Sequence, residues 1–184
     1  MNRKNKNILI GGLLAVVFVM AVGYAVFSTT LNINGSATIS SEWNVAFDTS
    51  VTSGSKTGTA TCGTVTYSNN NATATISNTT LVKPTDKCTY TLKVQNLGNL
   101  AASVSAASIS TCPTGWTKAS TTCTSSTGNL KFTVSSSATT LAAKNGSTTA
   151  SSNVIVTAEF VDKTVTQSST ESGTVAIGFS ATQV

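Results

Sequence analysis

Cys88-Thr89-Tyr90-Thr91-Leu92-Lys93-Val94-Gln95-Asn96-Leu97-Gly98-Asn99 is the stretch that decides the fold. Cys88, Tyr90, Leu92 and Val94 share one phase, and Thr89, Thr91 and Lys93 share the other. A period of two belongs to a strand with one face in a core and one in water. Lys93 then points outward as a solvated side chain. An intramolecular Lys–Asn cross-link would instead need it in an apolar core beside a carboxylate. The run ends in Asn96-Leu97-Gly98-Asn99, whose Asn and Gly residues suit a tight turn.

The same signature recurs on both sides. Trp43, Val45 and Phe47 alternate with polar neighbours, as do Leu130, Phe132 and Val134, then Val175, Ile177 and Phe179; Ala72, Ala74 and Ile76 form a weaker set. On this phase Trp43 is expected to face the core. Val154–Val161 differs, because Ile155 and Val161 add apolar residues to the second face. Such a strand is expected to be buried on both faces or shared with a neighbouring molecule. Turn residues separate the runs at Ser53-Gly54-Ser55, Ser68-Asn69-Asn70-Asn71, Asn145-Gly146-Ser147 and Ser172-Gly173. Low-complexity patches at Ser135–Thr140 and Ser147–Ser152 read as long surface loops. No helical periodicity follows Phe27. The expected fold is all-β: one antiparallel β-sandwich, jelly-roll or immunoglobulin-like, over residues 26–184, preceded by an N-terminal hydrophobic helix.

Composition removes several function classes. The 184 residues include 11 Lys and Arg, 6 Asp and Glu, and no His. Without imidazole there is no Ser-His-Asp or Cys-His arrangement and no His-bearing zinc site. Thr and Ser number 35 and 26, about a third of the chain, and fit the outer faces of strands. Arg3, Lys4 and Lys6 carry much of the net charge of +5. What remains beyond Ala25 is too weak a field for nucleic acid. The six acids, Glu42, Asp48, Asp86, Glu159, Asp162 and Glu171, are scattered, and nothing pairs two of them for hydrolysis. No activated nucleophile is recognisable. No catalytic residue, metal ligand or cofactor site is therefore expected. Four matches to the glycosylation sequon, at Asn34, Asn71, Asn78 and Asn145, are what chance gives in so Asn-, Ser- and Thr-rich a chain.

The N-terminus reads as an address. A basic start, an uncharged stretch from Ile8 to Phe27 and the small-x-small end Gly23-Tyr24-Ala25 form a signal-peptide pattern, with cleavage between Ala25 and Val26. The alternative is an uncleaved membrane anchor through residues 8–27. Four cysteines in a low-charge exported chain read as two disulfides. Cys112 and Cys123 enclose a turn-rich stretch that makes a local bridge easy, leaving Cys62 and Cys88. Spacing alone does not choose among the three connectivities. Trp116, inside the Cys112–Cys123 loop, is the one aromatic considered as a contact residue.

Val26–Ile33 is a free strand at the expected new N-terminus, with Phe27, Leu31 and Ile33 in one phase. It is either the first strand of its own sheet or a strand donated to the next subunit. The run Gly23-Tyr24-Ala25-Val26-Phe27-Ser28, then Leu31-Asn32-Ile33-Asn34-Gly35-Ser36-Ala37 and Trp43-Asn44-Val45-Ala46-Phe47, resembles exported Gram-positive proteins of the TasA/camelysin type. Their signal peptides are cut by a SipW-like signal peptidase. The resemblance implies an exported β-sandwich that often assembles into matrix fibres. The metallopeptidase label borne by camelysin-like relatives does not carry over to a chain without His. Four Cys and little charge depart from the TasA-like pattern.

These readings converge on an expectation. The chain is an exported structural protein, secreted or held at the cell surface or in the extracellular matrix, and is not an enzyme. It acts by self-association, including strand donation into fibres, or by adhesion. Its partners are itself or other surface and matrix proteins, with a signal peptidase during export. The alternative is a membrane-anchored extracellular module that recognises a glycan or protein through its loops.

Overall fold

The computed structural model describes residues 7, 10–17, 42–161 and 170–184. The chain divides into two units, Met1–Ile39 and Ser40–Val184. In the first, residues 10–17 are helical, and Ile10, Leu13, Leu14, Val16 and Val17 are all exposed. No helix among the described residues is long and apolar enough to cross a membrane. The expected cleavage site at Ala25 and Val26 and the expected donor strand with Phe27, Leu31 and Ile33 lie outside the described residues.

The second unit is built from antiparallel strands, numbered in chain order. The largest sheet runs β1 (Val45–Phe47), β5 (Lys87–Asn96), β12 (Ala150–Phe160), β10 (Leu130–Ser135), β9 (Thr122–Thr124) and β8 (Thr117–Lys118). In it, β2 (Ser55–Thr57) pairs with the opposite end of β5 from β1. A four-stranded sheet runs β3 (Thr64–Ser68), β4 (Thr73–Leu81), β13 (Glu171–Gly178) and β7 (Ser108–Thr111). A small sheet joins β11 (Thr139–Leu141), β6 (Ala102–Val104) and β14 (Ala181–Gln183).

The alternation read from Cys88 to Val94 forms the centre of the core. Cys88, Tyr90, Leu92 and Val94 are buried in β5, and Lys93 is exposed. In register beside them, β12 buries Val154, Val156, Ala158 and Phe160. Leu130, Phe132 and Val134 of β10 extend the row. From the four-stranded sheet come Val65, Ala74, Ile76, Leu81, Ile109, Val175 and Ile177, all in one buried cluster with the first set. Each large apolar side chain buried this way contributes about 1.5–3 kcal/mol before conformational entropy is subtracted. This is the expected antiparallel sandwich.

Both disulfides tie the two main sheets together. Cys62, just before β3, bonds to Cys88 of β5, and Cys112, just after β7, bonds to Cys123 of β9. Two such bridges belong to a non-cytoplasmic, oxidising compartment.

Four local expectations need correction. Ser172-Gly173 is not a turn but lies inside β13, where the register with β4 shifts between Gly173 and Val175. Opposite it, the inward phase of β4 passes from Ala74 and Ile76 to Thr79 and Leu81, and Asn78 takes φ 56° to absorb the extra residue. The two low-complexity patches are not wholly loops. Thr139–Leu141 is β11, paired with β6, and Ala150–Ser152 opens β12, paired with Val94–Asn96. Ile155 is 40% exposed, so β12 is not buried on both faces. Trp43 is 42% exposed, so it is not a core residue. The strand phase fails at Trp43 because residues 42–44 precede β1 and hydrogen-bond to the turn after β5.

Candidate functional site

A cleft of about 670 Å³ opens where the chain entering β1 meets the turn between β3 and β4. Trp43, Asn44, Val45, Ala46, Asn69–Ala72 and Leu97 line it. No lining side chain is ionisable.

Both walls are held by backbone bonds. On the tryptophan side, Leu97 and Gly98 N–H groups donate to the Asn44 carbonyl at 2.8 and 3.2 Å. Asn99 N–H donates to the Glu42 carbonyl at 3.1 Å, and Glu42 N–H donates to Asn99 Oδ1 at 2.7 Å. Trp43 is thus carried between two anchored residues. Gly98 allows this approach, because a Cβ there would meet the Glu42 carbonyl oxygen and lie 2.8 Å from the Asn44 nitrogen.

Opposite stands the turn Asn69-Asn70-Asn71. All three residues have left-handed φ, 54°, 54° and 61°. Asn tolerates this region better than other side-chain-bearing residues. Ala72 N–H closes the turn on the Asn69 carbonyl at 3.0 Å, and Phe47 N–H donates to the Asn71 carbonyl at 2.7 Å. Asn69 Nδ2 donates to Thr73 Oγ1 at 3.1 Å. Within the described residues, the side-chain amides of Asn44, Asn70 and Asn71 make no hydrogen bond.

Phe47 continues from this wall into an aromatic group, with ring centroids 6.1 Å from Tyr67 and 5.1 Å from Phe179. Tyr67 donates its hydroxyl proton to the Val51 carbonyl at 2.7 Å. Burial, with the Asp48 charge nearby, pushes the Tyr67 phenol up to about 12. The Asp48 carboxyl is held low by the Ser50 N–H, with help from the Ser50 side chain and Lys93.

The other sequence-selected residues serve the fold. Trp116 is half-buried, its ring pressed on Gly173 and its centroid 6.3 Å from Phe132, so it clamps the Cys112–Cys123 loop to β13 and β10. Asp86 is fully buried and accepts hydrogen bonds from the Val82, Lys83 and Thr59 N–H groups and from the Thr59 hydroxyl. Glu171 accepts from the Thr127 hydroxyl, and Glu159 falls in register between Lys131 and Lys87. Among the described residues, no group of three or more His, Cys, Asp or Glu could hold a metal ion.

Comparison with known proteins adds nothing to this geometry: no family model, no curated protein and no solved structure matches the chain. Sequence reasoning missed the cleft because it assigned Trp43 to the core. The signal was present in Asn69-Asn70-Asn71, three consecutive amides at one turn, but not in the spacing of Trp43.

Proposed function

We propose that this chain is an exported structural protein of the cell surface or extracellular matrix, working by self-association or adhesion and not by catalysis. The observation that carries this reading is the outer face of the four-stranded sheet. Its strands turn Thr, Ser, Asn, Ala and Gly outward, with Thr66, Thr75 and Ala176 side by side at the centre and no charged residue among them. Net charge keeps proteins apart, and a face without it offers no electrostatic barrier to a second copy. The largest sheet differs, with Lys87, Lys93, Lys131 and Glu159 on its outer side.

The edges of this four-stranded sheet support its face over its edges as the contact. Val65 N–H of β3 already donates to the Thr52 carbonyl, and Ile109 N–H of β7 to the Ser120 carbonyl. Such edges have fewer free groups to pair with an incoming strand. Export with cleavage between Ala25 and Val26 belongs to the same proposal, as does the likeness to TasA-type matrix proteins.

Light scattering over days, on the protein and on its Thr75→Lys/Ala176→Lys variant, tests it. Growth of the first and a monomeric, equally stable second are expected. A wild-type protein that stays monomeric at every concentration would overturn self-association. The second reading, an extracellular module that binds a ligand, is favoured by one observation, the Trp43 cleft.

A further inference from the structure

We infer that the Trp43 cleft is a binding site for an uncharged carbohydrate chain. The site deepens the adhesive side of the proposed function and rests on that reading only for where the ligand is met.

The other aromatic side chains among the domain's described residues are buried in the core or packed against it. Phe47, Tyr90, Phe132 and Phe160 are fully buried, and Trp116 covers Gly173. Trp43, 42% exposed, is the most open aromatic ring of the domain's described residues, on a backbone fixed from both sides. Tryptophan offers a broad π surface with one polar N–H, a shape suited to interfaces where one side is apolar and the other wet. A pyranose ring has that dual character: an apolar face of C–H groups and a rim of hydroxyls.

Side-chain amides on both walls supply the partners for the rim. Each carboxamide carries both donors and acceptors, as each sugar hydroxyl does. The amides of Asn44, Asn70 and Asn71 have no hydrogen bond within the described residues. The Asn70 and Asn71 backbones are held by the turn closure and the Phe47–Asn71 bond, and Asn44 by the Leu97 and Gly98 N–H groups, so little ordering is required when a ligand arrives. The cleft lies within the roughly 300–1,000 Å³ of small-ligand sites, and it is open rather than enclosed, which suits a short stretch of a longer chain. The absence of ionisable lining residues selects a neutral glycan over a uronate or sulfated one, because an anion would lose hydration without gaining a countercharge.

The test titrates the full chain, both disulfides intact, with cellohexaose, maltoheptaose and N-acetylchitohexaose, and with a heparin hexasaccharide as the anionic comparison. Calorimetry and tryptophan fluorescence read the binding. Saturable binding of a neutral oligosaccharide is expected. Trp43→Ala should weaken it by about tenfold or more, the scale of one lost aromatic contact. Trp43→Tyr should retain part of it, and Asn70→Gly, which removes the amide but keeps the left-handed backbone, should weaken it with little change in melting temperature. Three results would overturn the site: no saturable binding of any neutral probe, equal binding by Trp43→Ala, or tighter binding of the heparin fragment. Light scattering on the same samples separates the two readings. Assembly without glycan binding defeats the cleft alone, and glycan binding by a persistent monomer defeats self-association alone.

Discussion

The Tyr90 hydroxyl lies 2.7 Å from Thr79 Oγ1, joining β5 to β4 through the core with both side chains fully buried. Gly63 N–H also points at Thr79 Oγ1, at the longer distance of 3.4 Å. Burial raises the Tyr90 phenol pKa, while its Thr79 and Gly63 neighbours pull the other way. A buried hydroxyl without a partner carries its whole desolvation cost. Tyr90→Phe should therefore destabilise the domain by about 1–3 kcal/mol in denaturant melts. Tyr90→Phe/Thr79→Val should cost less than the two single changes added together, because it leaves neither hydroxyl stranded. Strict additivity would show that the two groups do not depend on each other.

Asp86 gives the domain a pH dependence of known sign. Burial pushes its carboxyl up, but hydrogen bonds from Val82, Lys83 and Thr59 outweigh burial and hold the group below the usual carboxylate range. A carboxylate with a depressed folded pKa stabilises the protein above its unfolded pKa, about 3.9. That stability drains away as pH falls through the lower folded value. Asp86→Asn should cost about 1–3 kcal/mol at neutral pH, the worth of charge-assisted bonds. The gap between variant and wild type should close in acid. Melting curves from pH 7 down to pH 2 would show it, and a gap independent of pH would refute the assignment.

How far the chain can be read depends on where each residue sits in the sandwich. Tyr90, Leu92 and Val94 followed their alternation because β5 has neighbours on both sides and a sheet against one face. Trp43 broke the same rule two residues before β1, where alternation continues in the sequence but the chain bonds to the turn after β5 instead of continuing the strand. Ser172-Gly173 has the composition of a turn and yet pairs with Thr79 and Thr80, because its register shift answers the extra residue at Asn78. That compensation involves two strands far apart in sequence, so neither strand announces it alone. The short strands β6, β11 and β14 carry few apolar residues each and owe their order to pairing with one another. The cleft combines residues 43–46, 69–72 and 97, and only the folded chain brings those three stretches together.

The two disulfides act as inter-sheet staples rather than as loop decorations. They close segments with sequence separations of 26 and 11 residues. On the chain-entropy model each stabilises the fold by about 3 kcal/mol. Cys62→Ala/Cys88→Ala should lower stability by that amount while preserving the strand signal in circular dichroism. Reduction of both should bring the domain close to unfolding at 37 °C. Unchanged denaturation midpoints after complete reduction, verified by thiol titration, would contradict the staple role.

Gly63 lies against the irregular turn of β4. A Cβ at this position would overlap the Ser77 carbonyl oxygen and stand 2.6 Å from the Ser77 carbonyl carbon, both backbone atoms that cannot swing away. Gly63→Ala should destabilise by about 1–3 kcal/mol or more, as overpacking does. Asn78, one residue further at φ 56°, behaves in the opposite way. Asn78→Gly should be close to neutral, whereas Asn78→Val should cost about 1–2 kcal/mol for a branched side chain in the left-handed region. Equal effects of Gly and Val at this position would mean that the backbone does not keep its left-handed form in solution.

Whether assembly uses a face or a donated strand is decided at the N-terminus. A donated strand needs an edge with free main-chain groups. In the four-stranded sheet, β3 is met by Thr52 and by the Ser53–Thr64 bridge, and β7 is met by Ser120. Among the described residues, the outward-facing strand residues of the same sheet carry no charge to keep a second copy away. A protein beginning at Val26 and one beginning at Asn34 should therefore assemble alike in light scattering, since the second loses Phe27, Leu31 and Ile33 but keeps the face. Introducing Thr75→Lys/Ala176→Lys should stop both. If the chain beginning at Val26 grows filaments and the chain beginning at Asn34 does not, the strand is the connector. The guarded edges would then have to open to receive it, and amide exchange at Val65 and Ile109 should quicken before assembly begins.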